Sequence, residues 1–336
     1  MDAGLAVAVA LAIAFAVTNG LHDASNSIAT LVATRGARPG QAIVLAAIFN
    51  LLGPFLVGAA VANTIGGIVT VSPSVSTEVI GCGLAAAVTW QMTTWWLGLP
   101  SSSGHALVGG LVGAALVDGG LDAVNWGGIE SGRPVGVLGT LIALAISPVL
   151  GGVVALLAIR ALRRLARRLT RAWDGAVTAG QWTMSSALAF SHGANDAQKA
   201  VGVIAALLLG AGKINSLAAP TWATLGCAVA LTAGTALGGW RIIRTVGMRI
   251  YRLQPIESLA SQSSSAGVIL GASLIGAPTS TSQVVASSVV GIGGGRRRLH
   301  HVNWSLVRQI ALAWLITMPV TAVIAGAALA IWRWLT

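Results

Sequence analysis

Charge is what this chain has least of. Only 9% of its 336 residues are charged, against roughly a quarter in a soluble globular domain. That scarcity excludes an ordinary soluble enzyme or binding module. Cysteine is nearly absent as well: Cys82 and Cys227 lie far apart in apolar segments, which excludes a disulfide framework and leaves two small buried hydrophobes. Metal-ligand spacing, a Walker-type phosphate loop and a dinucleotide fingerprint are all missing, so nothing points to nucleotide-driven work. The apolar N-terminus, Met1 to Val17, lacks a basic leading region and reads as a first membrane helix rather than a cleaved signal.

What fills the chain instead is hydrocarbon. Hydrophobic residues make up 55% of it and the mean hydropathy is +0.82. Ala, Leu and Gly dominate apolar runs of about 18 to 25 residues, the length that spans a bilayer as helix. The net charge of +11 comes mainly from arginine. On a soluble protein it would suggest nucleic acid. Here the arginines sit in short loops between apolar runs, where they set topology and meet anionic headgroups, and no nucleic-acid motif accompanies them.

Apolar segments fall at 3–34, 40–61, 76–97, 104–117, 136–159, 176–212, 218–239, 256–275, 279–292 and 304–334. The short pieces 104–117 and 279–292 suit arms of re-entrant hairpins or short spans. Basic loops at 160–174, 240–252 and 293–301 belong inside by the positive-inside rule, and the acidic loop 118–135 outside. The two halves then begin on opposite sides, yet repeat the same motifs in order. "NGLHDASN" (19–26) matches "HGANDAQK" (192–199), and "PSSSGHALVGGLVG" (100–113) matches "PTSTSQVVASSVVG" (278–291). The spacing from acid to proline is 77 residues (23 to 100) in one half and 82 (196 to 278) in the other. One motif series read in two orientations is an inverted-topology repeat, an architecture of secondary transporters.

The fold expected is an all-α polytopic membrane protein with an inverted-topology repeat, two broken helices and two re-entrant helical hairpins. Residues 1–159 form the first repeat, with a broken helix at 1–34 and a hairpin at about 76–117. Residues 160–174 form a basic cytoplasmic linker. Residues 175–336 form the second repeat, with a broken helix at 176–212 and a hairpin at about 256–292.

Asp23 and Asp196 are the acids that lie within apolar segments, apart from Glu78 and Glu257 near segment starts. A charge at mid-membrane costs at least about 2.5–3.5 kcal/mol on insertion scales, and a pair at equivalent repeat positions points to a cation or proton site. Lys199 stands where the first repeat has Asn26. An ammonium cannot ligate a cation but can occupy its place, so Lys199 is either a built-in charge paired with Asp23 or Asp196, favouring protons over sodium, or a plain structural ion pair. The hydroxyls of Ser101, Ser102 and Ser103, and of Thr279, Ser280 and Thr281, follow Gly-x-Pro breaks. They sit where helix N-termini present free N–H groups to an oxyanion. His22 and His192 flank the two acidic motifs and suit proton relay or a structural hydrogen bond. His105 is placed to orient a serine hydroxyl.

With these residues in view, the chain resembles the inorganic phosphate transporter (Pit) family. "NGLHDASNSIAT", "FSHGANDAQKAVG", the prolines followed by "SSSGH" and "TSTSQ", and "LGGWRIIRTVG" carry the likeness. The "NG-x-HD" and "SHGANDAQK" forms are similar to its bacterial, low-affinity, proton-coupled branch. The resemblance implies phosphate import. It places Asp23, Asn26, Asn195, Asp196 and His22 at coupling-ion or proton positions. Ser101, Ser102, Ser103, Thr279, Ser280, Thr281 and Lys199 would hold the anion. It also implies that His22 and Lys199 stand where sodium-coupled members have Asn, that Gln283 replaces a common His, and that a divalent metal can travel with phosphate.

The function expected is therefore a secondary active phosphate importer driven by proton symport, and not an enzyme. A sulfate permease of the same fold, a sodium-coupled symporter and an anion channel are the alternatives; a membrane hydrolase using Ser102 or Ser103 with His105 is the most remote. No cofactor is expected. The partners expected are inorganic phosphate, protons or sodium and the lipid bilayer, with a homodimer as an option and without nucleic acid. The location expected is the plasma (inner) membrane of a prokaryote, crossed several times.

Overall fold

The computed structural model describes residues 2–70, 72–166, 173–237, 243 and 245–336. Eleven α-helices lie among them. The first half supplies α1 (Ala3–Ala33), α2 (Pro39–Leu56), the short α3 (Ala60–Gly66), α4 (Ser76–Leu97), α5 (Ser103–Gly119) and α6 (Gly136–Ala166). The second supplies α7 (Asp174–Gly210), α8 (Thr221–Leu237), α9 (Pro255–Leu274), α10 (Thr281–Gly295) and α11 (Trp304–Leu335). A two-stranded antiparallel ribbon, Gly128–Glu130 with Arg133–Val135, sits in the acidic loop. Part of the basic linker expected at 160–174, and part of the "LGGWRIIRTVG" segment, lie outside the described residues.

Among the described residues, five helices are long and apolar enough to cross a membrane: Ala3–Ala33, Pro39–Leu56, Ser103–Ala123, Gly136–Leu165 and Trp304–Leu335. Large aliphatics such as Ile48, Ile146, Val149, Leu315 and Val323 face outward while dozens of polar side chains are buried. An apolar outer surface around an interior that holds many polar side chains among its apolar clusters suits a hydrocarbon solvent. The longest helix, α7, falls short on hydropathy because its polar stretch Ser191–Lys199 is buried inside the protein. The second arm of the first hairpin runs past the expected 104–117: α5 continues through a 3₁₀ turn at Gly120–Ala123. At 21 residues this stretch is long enough to cross, so its length does not make it re-entrant.

Both helices expected to be broken are continuous. α1 runs unbroken through 19–27 and α7 through 191–199. Neither stretch holds a proline, and a single glycine inside a helix costs only about 1 kcal/mol relative to alanine. The glycines in the two motifs serve packing instead. A Cβ on Gly20 would lie 2.1 Å from the Leu231 carbonyl oxygen on α8, and one on Gly193 would lie 2.2 Å from the Asn50 carbonyl oxygen on α2. Because both helices run on through these motifs, no helix break frees a backbone carbonyl there for an ion.

Packing is reciprocal, both between the two halves and within them. α1 lies on α8 and α7 on α2; α5 lies on α11 and α10 on α6; α4 lies on α1 and α9 on α7. The two hairpins, α4–α5 and α9–α10, turn at Gly98 and Gly276, with φ of 69° and 76°. That left-handed conformation is open to glycine at low cost, and it reverses the chain so that both serine- and threonine-rich turns point inward.

Candidate functional site

The turns of the two hairpins meet in the middle of the protein. The Ser282 hydroxyl donates to the Ser101 carbonyl at 2.8 Å, joining turns that lie far apart in sequence. Ser101, Ser102, Ser103, Thr279, Ser280 and Thr281 are all buried there. The first turns of α5 and α10 begin at this meeting point, so two helix N-termini with unsatisfied N–H groups converge on it.

Most of these hydroxyls are occupied. The Ser101 hydroxyl lies 2.8 Å from Thr94 Oγ1 and 3.3 Å from His22 Nε2. Ser102 caps α5 by accepting from the His105 N–H, and its oxygen also lies 2.7 Å from His105 Nδ1. Ser280 and Ser282 approach each other at 3.3 Å. The Thr281 hydroxyl donates to Asp196 Oδ2 at 3.0 Å. Ser103 Oγ and Thr279 Oγ1 are buried without a hydrogen-bond partner among the described residues. An unpaired buried hydroxyl costs about 1–3 kcal/mol, and an anion oxygen would relieve it at either position.

Behind the second turn lies a saturated acid. Asp196 takes an ion pair from Lys199 through Oδ1 and sits 2.8 Å from His192 Nε2 through Oδ2. Lys199 also donates to the Thr279 carbonyl at 2.6 Å, which leaves one of its three N–H donors without a partner among the described residues. Lysine and aspartate are both fully buried. A Cβ on Gly104 of the first hairpin would stand 3.8 Å from Lys199 Nζ, so the ammonium reaches between both hairpins. His192 is tied through Nδ1 to Asn50 Oδ1 at 2.9 Å, and Asn50 in turn donates to Thr235. Asn195 accepts from the Thr279 N–H at 3.1 Å and donates to Ser273 Oγ at 2.9 Å, fixing the second turn to α7.

The first-repeat acid is held differently. Asp23 Oδ1 has two long contacts, His22 Nδ1 and Asn26 Nδ2, both at 3.4 Å. Asp23 Oδ2 and Asn26 Oδ1 are buried without a hydrogen-bond partner among the described residues. No lysine stands beside them: α1 has Asn26 where α7 has Lys199. His22 spans the gap from this acid to the first turn, since its Nε2 lies 3.2 Å from Thr94 Oγ1 and 3.3 Å from Ser101 Oγ.

All twelve expected site residues are therefore buried around the two turns. Lys199 takes Asp196, not Asp23, as its partner. Thr94 and Ser273 are polar residues inside apolar helices with no motif around them, and the sequence gives no sign of their part. Ser282 lies within the "TSTSQ" motif, and its small polar neighbours hide it there.

A buried polar centre between paired hairpins, enclosed by helices with lipid-facing outer surfaces, defines a membrane transport protein. The chain belongs to the phosphate transporter family, whose model matches residues 19–179 and 166–325. Among its relatives, a probable low-affinity inorganic phosphate transporter of Rhizobium meliloti is 39% identical over 97% of both chains. One of the same description from Bacillus subtilis is 35% identical, covering 95% of this chain and 94% of that one. A solved structure described as the sodium-dependent phosphate transporter is 26% identical and covers 99% of this chain and all of that chain, with a TM-score of 0.86.

Proposed function

We propose that the protein imports inorganic phosphate by proton symport, with the anion between the two hairpin turns and the proton at Asp23. The observation that carries this reading is the asymmetry between the two acids. Asp196 already has a resident cation in Lys199. Asp23 is equally buried, but among the described residues it has no lysine or arginine partner; the His22 ring lies 3.4 Å from its Oδ1, and its Oδ2 has no hydrogen-bond partner. A carboxylate buried without a permanent cation beside it is a place where a transported proton or small cation can compensate the charge. His22 connects it to the Ser101 hydroxyl, so a proton taken at Asp23 has a polar route to the anion's turn.

Ser103, Thr279 and the N–H groups at the starts of α5 and α10 supply donors to the phosphate oxygens. Asp196, paired with Lys199, orients Thr281 and so the second turn. The reciprocal packing of the halves supports an inverted repeat in which the hairpin turns pass between inward and outward access around one centre. A divalent metal carried with phosphate would be cargo rather than a resident ion.

The sodium reading has one observation in its favour, the likeness to a structure described as sodium-dependent. Asp23 Oδ2 and Asn26 Oδ1 are hard oxygens that could ligate such an ion.

The deciding experiment is radiolabelled phosphate uptake into proteoliposomes under an imposed pH gradient or an imposed sodium gradient, with sulfate as competitor and with or without a metal chelator. Uptake driven by the pH gradient, insensitive to sulfate and abolished by Asp23→Asn is expected. Uptake that follows sodium alone, or full pH-driven uptake by the Asp23→Asn variant, overturns the proton assignment. Loss of uptake on chelation identifies the metal complex as the cargo.

A further inference from the structure

Away from the centre, two arginine clusters distant in sequence meet at one cavity. It measures about 490 Å³ and is lined by Arg160, Arg163, Arg164, Gly295, Arg296 and Arg297. The first three lie near the end of α6, and the last two follow α10. A single ion pair answers them among the described residues: Glu257 Oε1 lies 2.8 Å from Arg296 Nε. Four further guanidinium groups face the same space.

Membrane topology accounts for basic residues at this end but not for their convergence, since the positive-inside rule counts loop charge without regard to geometry. Like charges gathered at one cavity repel. The carbonyl ends of α6 and α10 offset this only in part. Arg297 adds a second sign of purpose. It leaves α10 with a φ of 57°, where glycine is the usual residue. An arginine there costs conformational energy and delivers a guanidinium to the cavity.

We propose that this cavity is a second anion site, separate from the transport centre, and that it takes a phosphate-bearing group. Guanidinium forks pair two N–H donors with two phosphate oxygens, and several forks around one pocket can divide a polyanion among them. A soluble polyphosphate anion and the headgroup of an anionic lipid share this chemistry. The site is mechanically joined to the centre: α10 runs from the cavity to Thr281. Beside the cavity, a Cβ on Gly295 would lie 2.4 Å from Ile159 Cγ2, so α10 and α6 touch closely. An anion bridging Arg163 or Arg164 to Arg297 pins the inner arm of the second hairpin to α6.

The test uses the full-length protein in neutral detergent. Tripolyphosphate is titrated while the melting temperature is followed, and native mass spectrometry reads retention of phosphatidylglycerol against phosphatidylcholine. At least one of the two ligands is expected to bind saturably, with affinity falling tenfold or more in Arg163→Gln/Arg164→Gln. Arg35→Gln/Arg38→Gln removes the same charge from another loop and is expected to bind as the parent does. A melting shift with tripolyphosphate identifies the soluble source, and selective retention of phosphatidylglycerol the lipid. Should the double variant fail to fold, Arg297→Gly suits the backbone conformation and is expected to show the same loss. Binding of neither ligand, unchanged binding in the cavity variants, or equal loss in the Arg35/Arg38 control overturns the site. None of these readouts depends on phosphate or protons at the central turns.

Discussion

The Ser282 hydroxyl donates a 2.8 Å hydrogen bond to the carbonyl of Ser101. It joins the turn of one hairpin to that of the other, and it crosses the place where the anion is proposed to sit. A bond here holds the two turns in one relative position, so a transporter that changes access must make and break it, or move both turns together.

Ser282→Ala removes this bond and little volume. A net loss of about 1 kcal/mol is expected, equivalent to about a fivefold change in an equilibrium between turn positions. The protein should still insert and fold. Phosphate uptake in proteoliposomes should change by a similar factor, and unchanged kinetics would mean that the bond plays no part in turnover.

Asp196 and Lys199 form a fully buried pair. Breaking such a pair leaves an uncompensated charge and costs about 3–5 kcal/mol. Lys199→Met and Asp196→Asn are each expected to lower the melting temperature of the purified protein sharply. The double variant should regain much of that loss while failing to transport. Equal stability of the single variants would show that the pair is not charged in the protein.

Lys199→Asn tests coupling separately. It places in the second repeat the residue that Asn26 supplies in the first. Under the proton reading, sodium-stimulated uptake should emerge in this variant and be absent from the parent. A parent already stimulated by sodium would remove the reason for a resident ammonium.

Gly193 lets α7 and α2 approach so closely that a Cβ would meet the Asn50 carbonyl at 2.2 Å. Gly193→Ala is expected to destabilise by about 1–3 kcal/mol through overpacking. Gly175→Ala, on the same helix with nothing within 4 Å, should be neutral or slightly stabilising. Thermal unfolding of the two variants side by side checks the close approach.

His105 Nδ1 lies 2.7 Å from the Ser102 oxygen and 3.5 Å from Gln283 Nε2, linking the first hairpin to the second. His105→Ala should raise the KM for phosphate several-fold with less effect on the maximal rate. It should leave gradient dependence intact, which uptake at varied phosphate would measure.

Much of this architecture was legible in the chain. Helix positions followed from runs of apolar residues, because a bilayer demands about twenty of them per crossing and tolerates little else. The hairpin turns followed from Gly-x-Pro and the serines and threonines after it, because turn chemistry is local. The broken helices did not follow. Gly20 and Gly193 carry the same letters whether a helix breaks or another helix presses against it, and only the neighbour at that position distinguishes the two. The choice of partner for Lys199 was equally out of reach. Asp23 and Asp196 are interchangeable in the repeat, and it is a single helical turn within α7, together with the Thr279 carbonyl from the second hairpin, that holds the ammonium on Asp196.

The sequence by itself determined that the protein is helical and apolar on its outside, that its motifs recur in two halves, and which dozen polar residues stand out against its apolar segments. Those properties are set by hydropathy, local turn preference and the cost of placing charge in hydrocarbon, all of which act along the chain. The tertiary structure alone decided which hydroxyls are spent on neighbours and which remain, that one acid is saturated while its counterpart is not, and that arginines from α6 and α10 share a cavity. Each of these depends on contacts between segments brought together by packing, a distance the order of residues does not encode.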